Sequence, residues 1–233
     1  MEQTPSGNIV HIRQQISTFE NKHGRQPGST QLLAVSKTFP ALQLRQAYEC
    51  GQRDFGESYL QEAVEKINTL SDLAIIWHFI GRIQSNKTRT IAQYFDWVHT
   101  VDRLKIAQRL SAQRPAHLPP INICIQVNVS HDPAKGGVNI DELASLTEAI
   151  QQLPQLRLRG LMTLPAKSPH FEEQYAELSK LKQAYDQLNR QEHQLDTLSM
   201  GMSADFEAAI ACGATLVRIG RAIFGERIHR DAD

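Results

Sequence analysis

The chain has 233 residues, 41% hydrophobic and 21% charged, and its 25 Lys and Arg are matched by 25 Asp and Glu. That length suits one large α/β domain or two small ones, and the balanced charge offers no global field for nucleic acid or an anionic membrane. Three widely spaced cysteines, Cys50, Cys124 and Cys212, argue against a disulfide framework or a cysteine zinc site. The nine histidines form no His-Glu-x-x-His pattern. No apolar run approaches the roughly 18 residues of a membrane span, and Met1-Glu2-Gln3-Thr4-Pro5 lacks the charged and apolar regions of a signal peptide, so a soluble, cytoplasmic protein is expected.

Residues 5 to 23 place Ile9, Ile12, Ile16 and Phe19 at spacings of three and four, which predicts an amphipathic helix closing near Gly24. A strand over Leu32 to Lys37 follows the turn, then a helix through Leu42, Leu44, Ala47 and Tyr48 that stops at Gly51. Asp54 to Glu57 reads as a short strand and Ser58 to Leu70 as its helix. Ala74 to Gly81 is a clearer strand, with Ser85 placed to cap a helix reaching Phe95. Trp97 to Val101 is the next strand, with Asp102 as the cap of its helix. Ile121 to Val129 is almost wholly apolar, as in a strand covered on both faces, and its helix runs from Asp141 to Pro154. Leu156 to Thr163 with a helix from Pro169 to Arg190, Leu195 to Met200 with a helix from Ser203 to Cys212, and Thr215 to Gly220 with a short helix complete the pattern.

Eight strands, each followed by a helix, predict parallel pairing and a closed (β/α)8 barrel with one extra N-terminal helix, as a single domain over 1–233. An open doubly wound sheet would need a glycine-rich turn after its first strand, and this chain has Ser36-Lys37-Thr38 there.

Active sites of such barrels lie at the C-terminal strand ends, where a phosphate is often held after strands seven and eight. Alternation puts Leu33, Val35 and Lys37 on one face, which aims an amine at the interior, where desolvation favours a reactive free base. In strand eight Leu216 and Arg218 share one face and Val217 and Ile219 the other. If Leu216 faces inward, Arg218 stands near Lys37, and two cations call for an anion. Gly220-Arg221-Ala222 opens a helix whose backbone N–H groups can hold a phosphate, and Ser203, after Met200-Gly201-Met202, could add a hydroxyl from a cap position.

Taken singly, each has an ordinary reading: Lys37 as a solvated strand-end lysine, Arg218 as a rim salt bridge, Gly220 as a helix-start glycine, Ser203 as a cap. Jointly they fit pyridoxal 5'-phosphate (PLP) held as a Schiff base. Gly81 to Thr88 nearly matches a P-loop, but Asn86 replaces its second glycine. His78 reads as a core or rim histidine and Lys135 as a loop lysine.

The strings Ala34-Val35-Ser36-Lys37-Thr38, Phe55-Gly56-Glu57, Trp77-His78-Phe79-Ile80-Gly81, Gln126-Val127-Asn128, Arg159-Gly160-Leu161-Met162-Thr163, Leu198-Ser199-Met200-Gly201-Met202-Ser203 and Val217-Arg218-Ile219-Gly220 with Ile223-Phe224-Gly225 resemble, in register over nearly the whole chain, the pyridoxal phosphate homeostasis protein family. The resemblance implies a barrel like the N-terminal domain of bacterial alanine racemase, with PLP on Lys37. It also implies phosphate contacts from Ser203, Gly220 and the Arg221 backbone, with Met200 counted among the cofactor-binding residues and Arg218 at the pyridine nitrogen.

The tyrosine base that alanine racemase takes from a second domain is not found before Asp233. The implied role is therefore a carrier and regulator of vitamin B6 supply without turnover, a monomer whose partners are PLP and PLP-dependent apo-enzymes. A weak amino-acid racemase is the alternative, and a cofactor-free Schiff-base lyase is a third. Two residues depart from the family: Ser58, where asparagine is usual, and Phe39, where a polar residue is often found and a change at the rim is expected.

Overall fold

Strands β1 (Gln31–Val35), β2 (Asp54–Glu57), β3 (Ile76–Phe79), β4 (Trp97–Val101), β5 (Ile121–Val127), β6 (Leu156–Thr163), β7 (Thr197–Ser199) and β8 (Leu216–Ile219) form a closed parallel barrel in sequence order. The computed structural model describes residues 4–130, 132, 135–191 and 193–225. Helices α2 (Ala41–Glu49), α3 (Leu60–Thr69), α4 (Thr88–Tyr94), α5 (Leu104–Gln113), α6 (Leu143–Gln151), α7 (Phe171–Arg190), α8 (Phe206–Ala211) and α9 (Arg221–Phe224) follow the strands in turn. The expected (β/α)8 architecture with its leading helix is therefore the one observed.

That leading helix is α1 (Pro5–Lys22). Thr4 caps it by accepting from the Gly7 N–H at 3.3 Å, and proline at the first helical position has no N–H to waste. Its buried stripe, Ile9, Ile12 and Ile16, packs where α1 meets α2, α8 and α9, across the β8–β1 seam. Asn8 also donates to the Ile223 carbonyl at 2.8 Å, which ties α1 to the one-turn helix α9.

One face of each strand joins an apolar shell under the helices, and the other face lines the lumen. In β8, Val217 and Ile219 belong to the shell, as do Leu32 and Ala34 in β1. The β1–β8 register pairs Leu33 with Arg218, so Leu33, Leu216 and Arg218 point inward. A hydrogen bond between His99 on β4 and Ser199 on β7, strands that are not neighbours, crosses the lumen directly.

Several element ends differ from the sequence expectation. The first strand stops at Val35, because Thr38 turns the chain through a left-handed conformation at φ 70°. Ser85 does not cap α4: it starts a 3₁₀ turn, Ser85–Lys87, behind Gln84. Nor does Asp102 cap α5, since its carboxylate pairs with Arg103 at 2.6 Å and Arg103 occupies the cap position. Ser203 is displaced as a cap by Asp205, which stands at the N-cap of α8 and whose Oδ1 accepts from the Met202 N–H at 2.6 Å. Phe39 lies in the core rather than on the rim, stacked against Phe224 with ring centroids 5.1 Å apart.

Candidate functional site

Lys37 sits two residues beyond β1 on a turn held from outside the barrel. Glu57 ends β2 on its outward face, fully buried beneath α3, where Lys66 is almost fully buried too. Lys66 Nζ donates to Glu57 Oε1 at 2.8 Å, to the Ser36 carbonyl at 2.8 Å and to Glu62 Oε1. Ser36 Oγ donates to Glu57 Oε1 at 2.7 Å, and the Thr38 N–H donates to Glu62 Oε1 at 2.6 Å. Both neighbours of Lys37 are thus clamped to one ionic cluster. Burial pushes the Glu57 carboxyl up despite the Lys66 cation beside it. Lys37 itself is half-buried, with Nζ 6.0 Å from the centroid of the exposed Tyr59 ring.

Arg218 is held from inside. It is 4% exposed, and its guanidinium donates to Ser199 Oγ at 2.8 Å and to the carbonyl of Thr163, the last residue of β6, at 2.8 Å. Burial pulls its pKa down to about 10, with Asp205 and Cys124 opposing, so the group keeps its charge at neutral pH. Burial also pushes the inward Cys124 thiol up to about 12, which makes it an inert lining group.

Gly220 follows β8 directly. A Cβ there would meet the Val35 carbonyl oxygen at 3.1 Å and Val35 Cβ at 3.4 Å, so a side chain would crowd the end of β1 beside the Lys37 turn. The Gly220 carbonyl accepts from the Ile223 and Phe224 N–H groups at 2.9 and 3.0 Å. That leaves the N–H groups of Arg221 and Ala222 in the first turn, where no intrahelical acceptor exists. The Arg221 side chain is exposed, so its contribution at the mouth is backbone.

The β7–β8 pairing continues past the named strands, with the Arg218 N–H donating to the Gly201 carbonyl at 2.9 Å, so residues 201–203 leave alongside the end of β8. Ser203 is exposed in this turn. Met200 is fully buried in the apolar shell and its N–H bonds the Leu216 carbonyl at 3.1 Å, so its side chain lies on the far side of the sheet from the lumen.

The mouth therefore gathers the Lys37 turn, Gly220 with the Arg221 N–H and the Arg218 guanidinium on neighbouring strands, with Ser203 on the adjoining turn. Among the described residues, Thr38 Oγ1 and Ser130 Oγ, also at C-terminal strand ends, are buried without a protein hydrogen-bond partner. An amine, a glycine-walled turn of N–H donors and a buried donor-only cation fit a phosphorylated pyridine aldehyde. A cavity of about 370 Å³ opens at the opposite, N-terminal face, lined by Arg13, Glu20, Gln52, Arg53 and Asp54 among others; neither Lys37 nor Arg218 lines it. Among the described residues no group of three metal-ligating side chains occurs, and no helix is long and apolar enough to cross a membrane.

The residues that sequence reasoning passes over are Glu57, Glu62 and Lys66 outside the sheet and His99, Ser199 and Thr163 within it. Lys66 carried a visible signal, since it falls on the buried stripe of α3 with Ala63. His99 shared the Trp97 face of β4 by alternation, but nothing local distinguished that face as the lumen.

The alanine racemase N-terminal domain family matches residues 8–228. The chain is 55% identical over 224 residues to the pyridoxal phosphate homeostasis protein of Pseudomonas aeruginosa, with 96% of each chain covered. It is 49% identical over 223 residues to that of Escherichia coli K12, with 94% of this chain and 95% of the relative covered. Among solved structures, PipY of Synechococcus elongatus with PLP bound is similar at TM-score 0.84 and 36% identity, over 95% of this chain and 100% of that one. Alanine racemase of Corynebacterium glutamicum shares the fold alone, at TM-score 0.72 and 15% identity, over 97% of this chain and 64% of the racemase.

Proposed function

The chain belongs to the pyridoxal phosphate homeostasis protein family, and from that premise we propose that it binds PLP reversibly on Lys37, as a single barrel domain, and holds the cofactor without turning over a substrate. The observation that carries this reading is the meeting of the Lys37 turn with Gly220 and Arg218 across the β1–β8 seam. PLP supplies an aldehyde that condenses with an amine, losing water, and a ring that withdraws electrons when its nitrogen is protonated.

The protein's own groups divide the work. Lys37 presents Nζ, and the Glu57–Lys66–Glu62 cluster orients the turn that carries it. Gly220, the Arg221 N–H and Ser203 Oγ receive the phosphate. Arg218 faces the ring nitrogen as a pure donor, and because it keeps its proton it disfavours a protonated ring. Such a site favours holding the cofactor over carbanion chemistry. Delivery to PLP-dependent apo-enzymes by a monomer is the cellular role this supports.

The test uses the purified chain incubated with PLP, visible absorption, borohydride reduction and peptide mapping. A stable adduct on Lys37 is expected, lost in Lys37→Ala, with no exchange of solvent deuterium into alanine above the rate of free PLP. A chain that stays colourless and unmodified, or that exchanges deuterium well above that rate, refutes the reading.

A further inference from the structure

A file of polar side chains runs the length of the lumen. Asp54, at the N-terminal start of β2, lines the cavity at that face and accepts from His78 Nε2 at 3.0 Å. His78 Nδ1 meets His99 Nε2 at 2.9 Å, His99 Nδ1 meets Ser199 Oγ at 2.8 Å, and Ser199 Oγ accepts from Arg218 at 2.8 Å. Both imidazoles are fully buried, and His78 stacks on Trp97 with ring centroids 5.4 Å apart.

With both imidazoles neutral, the chemistry of the two ends sets the direction of every bond between them. A carboxylate only accepts, so His78 must carry its proton on Nε2. A neutral His78 then offers Nδ1 as an acceptor, which places the His99 proton on Nε2. His99 Nδ1 must in turn accept, and the hydrogen available to it is that of Ser199, whose oxygen accepts from the donor-only guanidinium. Every atom in the file is satisfied by one arrangement with both histidines neutral. Burial and the Arg218 charge hold His99 well below the ordinary histidine range, which agrees with a neutral His99.

We propose that Asp54, His78, His99 and Ser199 are positioning residues, a polarised hydrogen-bond relay that orients the Arg218 guanidinium and couples it to a carboxylate at the opposite face of the barrel. The inference rests on the reading of Arg218 as the group facing the ring nitrogen. The relay fixes the cation's geometry from below while the mouth stays open to the cofactor.

Nitrogen-15 NMR of the histidines in the full apo chain reads the relay without PLP. Both imidazoles are expected neutral at neutral pH, with the proton on Nε2. In Asp54→Ala the His99 nitrogen shifts are expected to move although His99 does not touch Asp54, as the tautomers lose their fixed polarity. Asp54→Asn, which keeps an acceptor oxygen, is expected to restore them. In the loaded protein, Ser199→Ala and Asp54→Ala are expected to weaken PLP retention roughly tenfold, with Asp54→Asn closer to wild type.

A His99 proton on Nδ1, a cationic imidazole, or His99 shifts that ignore Asp54→Ala overturn the relay. Unchanged PLP retention in both variants overturns its link to the cofactor. A wild-type chain that shows the expected tautomers yet takes up no PLP supports the relay and refutes the proposed function instead.

Discussion

Replacing Lys66 by methionine tests whether the cluster behind Lys37 is an ion pair that the fold depends on. Lys66 Nζ is the cation beside Glu57, a carboxylate with no exposed surface and with Oε2 lacking any protein partner. Removing one member of a buried pair leaves an uncompensated charge and costs about 3–5 kcal/mol. Burial already raises the Glu57 pKa from its ordinary value of 4.5, and loss of Lys66 raises it further. An acid with a raised folded pKa destabilises the fold when ionised, so its penalty is present above that pKa and is relieved as pH falls through it towards the ordinary carboxylate range. The Lys66→Met deficit, measured by urea unfolding, is therefore expected to be largest at neutral pH and to shrink on acidification. Glu57→Gln combined with Lys66→Met is expected to recover most of the loss, because the pair is strongly coupled. A neutral-pH deficit below about 1 kcal/mol, the value of an exposed pair, refutes this account, as does a deficit that grows in acid.

Gly220→Ala places a methyl group 3.1 Å from the Val35 carbonyl oxygen, so the end of β1 must give by a few tenths of an ångström. The residue's φ of −117° is open to alanine, so the effect is steric: a folded chain, destabilised by about 1–3 kcal/mol, that retains PLP less well in equilibrium dialysis. Phe39→Ala removes the ring stacked on Phe224 and is expected to cost about 3–5 kcal/mol by thermal or urea unfolding. Because Phe224 belongs to α9, amide exchange in residues 221–225 should accelerate more than in β5, and uniform acceleration would show that Phe39 does not brace that helix in particular.

Strand order and number were legible because each strand in a parallel barrel is an apolar run separated from the next by a helical period. β6 was legible at both ends, Leu156–Thr163, where the run is long and Pro154 and Pro165 lie just outside it. Shorter strands frayed: β7 forms only over Thr197–Ser199, where alternation alone extended it to Leu195 and Met200. Caps were misplaced where a nearby charge competed, as Asp205 does for the position expected of Ser203. The inward direction of Arg218 was conditional in the sequence, since Leu216 and Val217 are equally apolar. The Leu33–Arg218 register and the bond across the lumen to Ser199 decide it. Phe39, two residues after Lys37, is a rim position by sequence order alone, but the left-handed turn at Thr38 redirects the chain into the core.

The two polar systems lie on opposite faces of the same sheet and act on opposite ends of the proposed cofactor. The outer cluster is ionic, with its charges adjacent, and it secures Ser36 and Thr38, and so fixes where Lys37 begins. The inner file separates its charges, with a guanidinium at one end, a carboxylate at the other and two imidazoles and a hydroxyl between them. A carboxylate placed beside a pyridine nitrogen would stabilise its proton and strengthen electron withdrawal; a guanidinium in that place would do the reverse. In the proposed complex such a site would suit an amine that must let its cofactor go, because the ring would be held by donors that stabilise its unprotonated form and gain nothing from carbanion development.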